Sequence, residues 1–555
     1  MSALVHGYPS TMQDDYQLTM GRLIRQAVRS YPDTEIVHRN SAGEWGRTTY
    51  AENFDRIERA AAALTDLGVN VGDRVGVMDW NSLRHYELYW AVPAIGAVFT
   101  QLNLRLSEDD LLYVINDSQA SVILVDETLV PVMEALAARA HGVKTWVILS
   151  DGAIEHQLPN AVYYEELIAD AKPTAAWPNI SETSAFAAGY TTGTTGRPKG
   201  VFYSHRSQYL HAYGFIAGMG MSPEDVVMPI TPMFHVLTWG TVQATVLAGA
   251  KLVLPGQFSA DTLGEITDAI TEEGVTVTNG VPAIFSPMLE VLKAKGVTDL
   301  TGLRLLCGGS EPPLSMMTGY REAFNAEVIH AYGATETSPL VSVNRITPPM
   351  RARLTEEELT AYASKQGRIP VTVELKIVDG MGNEVPADGE TSGEMLIKGP
   401  WITASYHGMP EDELAAHFVD GYWRSGDVAT IDENGFIKIT DRLKDVIKSG
   451  GEWISSIDME NAMVGHPKVV QAAVVGLQHP KWEERPFLLL VLQDGENITR
   501  EEVDEHLLQN FAKWQLPEQF EVVDEIPATS VGKIDKKVIR KQYKNLYKLD
   551  TRPHR

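Results

Sequence analysis

The residues best suited to chemistry are gathered in one short segment, Thr191-Thr192-Gly193-Thr194-Thr195-Gly196-Arg197-Pro198-Lys199-Gly200. Glycines let a backbone turn its N–H groups onto an anion, while threonine hydroxyls and an ammonium add donors; a polyphosphate needs that combination. The glycine–lysine–hydroxyl order of a Walker A loop is absent, and the same composition also suits a plain surface connection. Gly308-Gly309-Ser310-Glu311-Pro312 and Ala331-Tyr332-Gly333-Ala334-Thr335-Glu336-Thr337 are two further polar loops, each following an apolar run. Near the end, Ile526-Pro527-Ala528-Thr529-Ser530-Val531-Gly532-Lys533 carries a lysine that could offset phosphoryl charge. Taken singly, each has a plainer reading: a tight turn, a solvated glutamate, a surface lysine.

The elements that must position these loops alternate between helix and strand. Phe54, Ile57, Ala61, Leu64 and Leu67 recur at helical spacing and stop at Gly68. Buried strands are expected at 75–78, 121–125, 145–149, 226–230, 275–278 and 303–306. This alternation predicts a layered α/β fold with largely parallel sheets, in which ligands gather at the carboxyl ends of strands. After about residue 366 the pattern changes to strands at 373–378, 394–398 and 436–440, separated by turn-rich pieces, which predicts a β-rich subdomain. A charged junction at 441–445 follows, and 446–555 reads as a small α+β domain with a strand at 487–492. The expected division is therefore a large domain over 1–440, a junction over 441–445 and a small domain over 446–555.

A chain of 555 residues exceeds one ordinary core. Its net charge of −26 argues against a general nucleic-acid binder. A single cysteine, Cys307, rules out an internal disulfide and any cysteine-based metal cluster. The first residues have neither a basic start nor an apolar run, the last five carry no lipidation address, and the apolar stretch 90–100 is short of a membrane span. The expected setting is cytoplasmic.

Residues 190–200 resemble the signature loop of the acyl-adenylate-forming superfamily: acyl-CoA synthetases, amino-acid adenylation domains and luciferases. The later motifs follow in that family's order, so the resemblance covers nearly the whole chain. Thr192 stands where serine is commoner, which keeps the hydroxyl. The resemblance implies that Thr191, Thr192, Gly193, Thr194, Thr195, Gly196 and Lys199 hold the ATP phosphates. It places Gly309, Ser310, Glu311 and Pro312 against adenine, with Tyr332 stacked on the ring beside Gly333. Thr335 is assigned to the α-phosphate and Glu336 to Mg²⁺, a pairing that suits an ion taking one or two carboxylates plus phosphate oxygens. Asp427, in Ser425-Gly426-Asp427, is assigned to the ribose hydroxyls, and Arg442 to ribose or phosphate. Lys533 becomes the catalytic lysine, with Lys444 as the hinge about which the small domain rotates. Lys448, Gly450 and Gly451 border the path of coenzyme A.

The segment Thr231-Pro232-Met233-Phe234-His235-Val236-Leu237-Thr238-Trp239-Gly240 is placed on the acyl pocket. His235 then lies near the carboxylate, Trp239 forms a wall or gate, and Gly308 and Gly333 complete the pocket; the same residues could also be ordinary core. FHVLTWG, IKSGGEWIS and KWEERP look closest to the medium-chain fatty acyl-CoA synthetase branch, which includes methylmercaptopropionate-CoA ligase. The implied reaction joins a carboxylic acid to ATP, giving acyl-AMP and pyrophosphate, then transfers the acyl group to CoA. Two alternatives are an adenylating enzyme serving a carrier protein and a non-enzymatic nucleotide sensor. Homodimers are common in the family, although no segment here establishes one.

Overall fold

Thr49 starts the first long helix, Tyr50–Asp66, through a reciprocal capping box with Glu52. Its apolar positions turn inward as their spacing requires, with Ile57, Ala61 and Leu64 buried, and Gly68 at φ +83° lets the chain leave the helix. The computed structural model describes residues 5–173, 176–191, 197–450, 452–493, 495–527 and 534–547. They divide into two compact units, one formed by Met1–Glu374 with Ile397–Trp423 and the other by Leu375–Leu396 with Arg424–Arg555.

The first unit is α/β, as the alternation predicted. One sheet has seven strands in the order Ala161–Tyr163, Thr145–Leu149, Val122–Asp126, Arg74–Met78, Val98–Gln101, Ala185–Tyr190 and Gly200–Ser204. Its neighbours are parallel except for the last pair, an antiparallel hairpin with Tyr190 opposite Gly200. A second run of strands follows the order Glu35–Arg39, Lys251–Leu254, Val226–Pro229, Val277–Gly280, Arg304–Cys307 and Glu327–Gly333, all parallel. Leu340–Val343 then pairs antiparallel with Glu327–Gly333. Leu305, Leu306 and Cys307 are wholly buried, as expected for a strand with elements on both faces. The expected strands stand within about two residues of their predicted bounds, ordinary uncertainty for element ends. The apolar stretch at 90–100 is the end of helix Leu83–Ala94, a turn at Gly96 and the start of strand Val98–Gln101.

The second unit contains the antiparallel pair of residues 424–431, from strand Tyr422–Ile431, with Phe436–Arg442. Its five-stranded sheet runs Glu452–Ile454, Ile447–Ser449, Glu483–Leu492 and Val469–His479, with Gln519–Val522 parallel to Glu483–Leu492. Met459, Met463, Val474, Leu488, Leu490 and Val503 fill the core on one of its faces. The eleven-residue strand Val469–His479 was not expected from the sequence.

Candidate active site

The hairpin ending at Tyr190 and Gly200 fixes the neck of the glycine/threonine loop. Thr191 and Lys199 close it, because Thr191 N–H donates to the Lys199 carbonyl at 3.0 Å and Lys199 N–H donates to Thr191 Oγ1 at 3.0 Å. Tyr190 donates its hydroxyl to Asp117 Oδ2 at 2.8 Å, anchoring the strand end from below. Thr192, Gly193, Thr194, Thr195 and Gly196 lie outside the described residues, as do Gly451 and Lys533.

Across from that neck stands Glu336, in the short turn Thr335–Thr337. Tyr406 donates its hydroxyl to Glu336 Oε1 at 2.7 Å, and Trp423 Nε1–H donates to the same Tyr406 oxygen at 3.0 Å. The Glu336 carbonyl accepts from Thr403 N–H at 2.8 Å, and the Thr335 carbonyl accepts from the Tyr203 hydroxyl at 2.9 Å. Lys199 Nζ sits 4.8 Å from the centre of the Tyr406 ring. One tyrosine thus touches both the loop lysine and the loop carboxylate. Burial, reinforced by the Glu336 charge, keeps the Tyr406 hydroxyl protonated far above ordinary pH. Gly333 cannot be replaced here without moving backbone, since a Cβ would meet the Pro339 carbonyl oxygen at 2.0 Å.

A narrow pocket adjoins this turn, lined by Gln101, Asn103, Tyr190, Phe234, His235 and Thr335 among others. His235 Nδ1 lies 3.4 Å from Asn103 Nδ2. The residues that follow have an unusual backbone: Val236, Leu237, Thr238, Trp239 and Gly240 have φ of +45°, +52°, +44°, +63° and +70°. A left-handed turn costs L-residues about 1–2 kcal/mol each, so surrounding groups must hold it. Leu237 N–H donates to Gln101 Oε1 at 3.2 Å, and Thr238 Oγ1 donates to the Thr231 carbonyl at 2.7 Å. Asn279 is fully buried; its amide donates to the Thr238 carbonyl at 2.9 Å and accepts from Ile230 N–H at 3.0 Å. Asn81 accepts from Met233 N–H at 2.8 Å and donates to the Pro229 carbonyl at 2.8 Å. The outcome is a Trp239 ring packed on Gly308, where a Cβ would stand 3.2 Å from the indole. Gly309 is at φ +79° beside Val281, Ser310 is exposed, Glu311 and Tyr332 are half-buried, and Pro312 is buried.

In the other unit, Asp427 and Arg442 stand opposite each other on paired strands, with Arg442 Nε 2.7 Å from Asp427 Oδ1. Asp427 is buried, and its backbone N–H donates to Ser425 Oγ at 3.0 Å. Lys444 is exposed in the turn that follows. Lys448 and Gly450 belong to the hairpin 447–454, where Gly450 at φ +64° packs against the Trp482 ring.

Residues 24–407 match the model of the AMP-binding enzyme family, and residues 458–533 match its C-terminal domain. The chain belongs to the AMP-binding enzyme family. A long-chain-fatty-acid–CoA ligase of Thermus thermophilus is 44% identical over 98% of this chain and 98% of its own. A 3-methylmercaptopropionyl-CoA ligase of Ruegeria lacuscaerulensis is 40% identical over 95% of this chain and 98% of its own. ATP-bound MatB from Rhodopseudomonas palustris has a TM-score of 0.79 at 25% identity, covering 95% of this chain and 99% of that one. This AMP-binding enzyme is an AMP-forming acyl-CoA synthetase using ATP and CoA.

Spacing alone did not single out Tyr406, Trp423, Asn279 or Gln101, which the structure brings against the candidate site residues. No described helix is long and apolar enough to cross a membrane.

Proposed function

We propose that this synthetase activates a short- to medium-chain fatty acid or a short acid bearing a methylthio group, in the cytoplasm, with Mg²⁺ on the nucleotide. The observation that carries this reading is the pocket in which Phe234 and His235 meet Thr335, the residue next to Glu336. A carboxylate placed there would lie beside Asn103 and His235, at the end where the turn Thr335–Thr337 begins. In this reading the Trp239 ring, which packs on Gly308, forms a wall or gate of the acyl pocket.

In the first step a carboxylate oxygen of the acid bonds to the α-phosphorus of ATP, and the bond to pyrophosphate breaks. Lys199, the loop it closes and Lys533 offset the phosphate charge, while Asp427 and Arg442 hold the ribose end. Glu336 would hold a divalent cation through its single carboxylate, with phosphate oxygens and water completing the shell. When bound, that ion supplies positive charge beside the phosphates. In the second step the CoA thiol gives up its proton to solvent, its sulfur bonds to the acyl carbonyl carbon, and AMP leaves with the electrons of the broken C–O bond. Reorientation about Lys444, between a large domain over 1–440 and a small one over 446–555, would exchange Lys533 for Lys448, Gly450 and Gly451.

The test is CoA-dependent AMP formation with butyrate, hexanoate, octanoate, decanoate, palmitate, 3-methylthiopropionate and benzoate. We expect matching thioester with highest kcat/KM at six to ten carbons or with the methylthio acid, because each methylene in an apolar pocket contributes about 1–3 kcal/mol. A maximum at palmitate would replace this reading by a long-chain one, which the Thermus relative favours. Pyrophosphate without thioester would transfer the acceptor role to a carrier protein.

A further inference from the structure

Helix His205–Met219 carries two polar side chains that the adenylating chemistry leaves unused, Gln208 and His211. They are 0% and 1% exposed and lie one turn apart, on the same face. Both converge on Gly240, the last residue of the left-handed turn: a Cβ there would stand 2.7 Å from His211 Nδ1 and 2.8 Å from Gln208 Nε2.

The tautomer of His211 follows from its other nitrogen. Leu340 N–H donates to His211 Nε2 at 3.1 Å, so the proton of the neutral ring is on Nδ1. Burial keeps the ring neutral by pushing its pKa down to about 3. That Nδ1–H has no partner among the described residues, and neither amide atom of Gln208 has one. Gln243, on the helix Thr241–Ala248 that packs against His205–Met219, is 1% exposed with both amide atoms also unpaired. Buried polar groups are almost always satisfied by protein or by something bound.

We propose that Gln208 and His211 form a buried site for a neutral oxygen acceptor, taken either from an ordered water or from a hydroxyl or keto group on the acid substrate. Neither side chain carries charge, so a neutral oxygen is matched and a buried anion is not. A water source requires space for one water and two to four polar partners, and Gln208 and His211 supply the partners. The substrate source rests on the acyl-pocket reading above, because Gly240 is joined to Trp239, whose ring lies on Gly308.

The test has two arms, both on the full-length enzyme. The first is a high-resolution crystal structure without acid. An ordered atom within hydrogen-bond distance of His211 Nδ1 and the Gln208 amide is expected. A Gln208 amide oxygen resting directly on Nδ1, with no third atom, overturns the site. The second arm compares kcat/KM for chain-matched acids with and without a hydroxyl or keto group at successive carbons, in wild type and in Gln208→Leu. If the acid supplies the oxygen, one positional isomer is favoured by more than about tenfold, and that ratio falls about tenfold, the worth of one hydrogen bond, in Gln208→Leu. If water supplies it, no isomer is favoured and the ordered atom persists in the acid-bound crystal. Should no acid give thioester, the substrate reading fails, while the crystallographic arm still decides the site.

Discussion

Replacing Tyr406 by phenylalanine separates two roles of one hydroxyl. It donates to Glu336 Oε1 at 2.7 Å and accepts from Trp423 Nε1–H at 3.0 Å. Trp423 is only 4% exposed, so removing the oxygen strands a buried donor, at a cost of about 1–3 kcal/mol. The bond to Glu336 is charge-assisted and contributes about 1.5–3 kcal/mol. If it orients the carboxylate during adenylation, kcat/KM for ATP falls by roughly ten- to a hundredfold. Pyrophosphate release at varied ATP reads the second effect, and the urea midpoint reads the first. A Tyr406→Phe/Trp423→Phe double variant removes the stranded donor as well. Its midpoint should therefore lie above the sum of the two single losses, while its ATP kinetics stay as impaired as in Tyr406→Phe. Wild-type kinetics in Tyr406→Phe, or strictly additive midpoints, would refute the reasoning.

Lys533→Ala should nearly abolish adenylation yet still convert supplied acyl-AMP to thioester; equal loss of both steps would contradict the assignment. Lys444→Pro should impair thioester formation far more than adenylation, and equal effects would remove the hinge. Lys536 lies 2.8 Å from Glu460 and 2.6 Å from Ser456 Oγ, and it offsets the buried Asp441 charge. Lys536→Met, by stranding these carboxylates, should cost about 3–5 kcal/mol, read as a lower urea midpoint and faster proteolysis of residues 446–555. Asp79 is raised to about 8 by burial and by Asp126. Its folded pKa exceeds its unfolded one, so the folded state holds the proton more tightly, and stability declines as pH rises from about 4 to about 8. Asp79→Asn should flatten that decline in urea midpoints taken from pH 5 to 8.5; an unchanged slope would exclude Asp79 as its source.

The parallel strands were legible because each is a short apolar run between turn signals, as at 145–149 and 304–307. Helix 50–66 was legible because its inward face recurs at the helical period and the recurrence stops at Gly68. The supports of the site were not. Asn279 reaches Thr238, and Gln101 reaches Leu237, across long stretches of sequence, and a single asparagine or glutamine carries no mark of its eventual partner. Tyr406 gives no sign of Glu336 for the same reason. The left-handed turn was invisible too: apart from Gly240 its residues are types that ordinarily avoid positive φ, so FHVLTWG read as pocket wall or core.

That turn is not portable. A loop built from local preference can be cut from one relative and set into another, but a segment of reversed handedness has no conformation of its own to bring. Its shape belongs jointly to Gln101 and Asn279, which reach the turn itself, and to Asn81, which fixes Met233 just before it, from three separate stretches of the chain. Exchanging acid specificity between members of this family by grafting residues 232–240 alone would deliver the side chains without the backbone that aims them. The transferable unit is the turn together with its three amides.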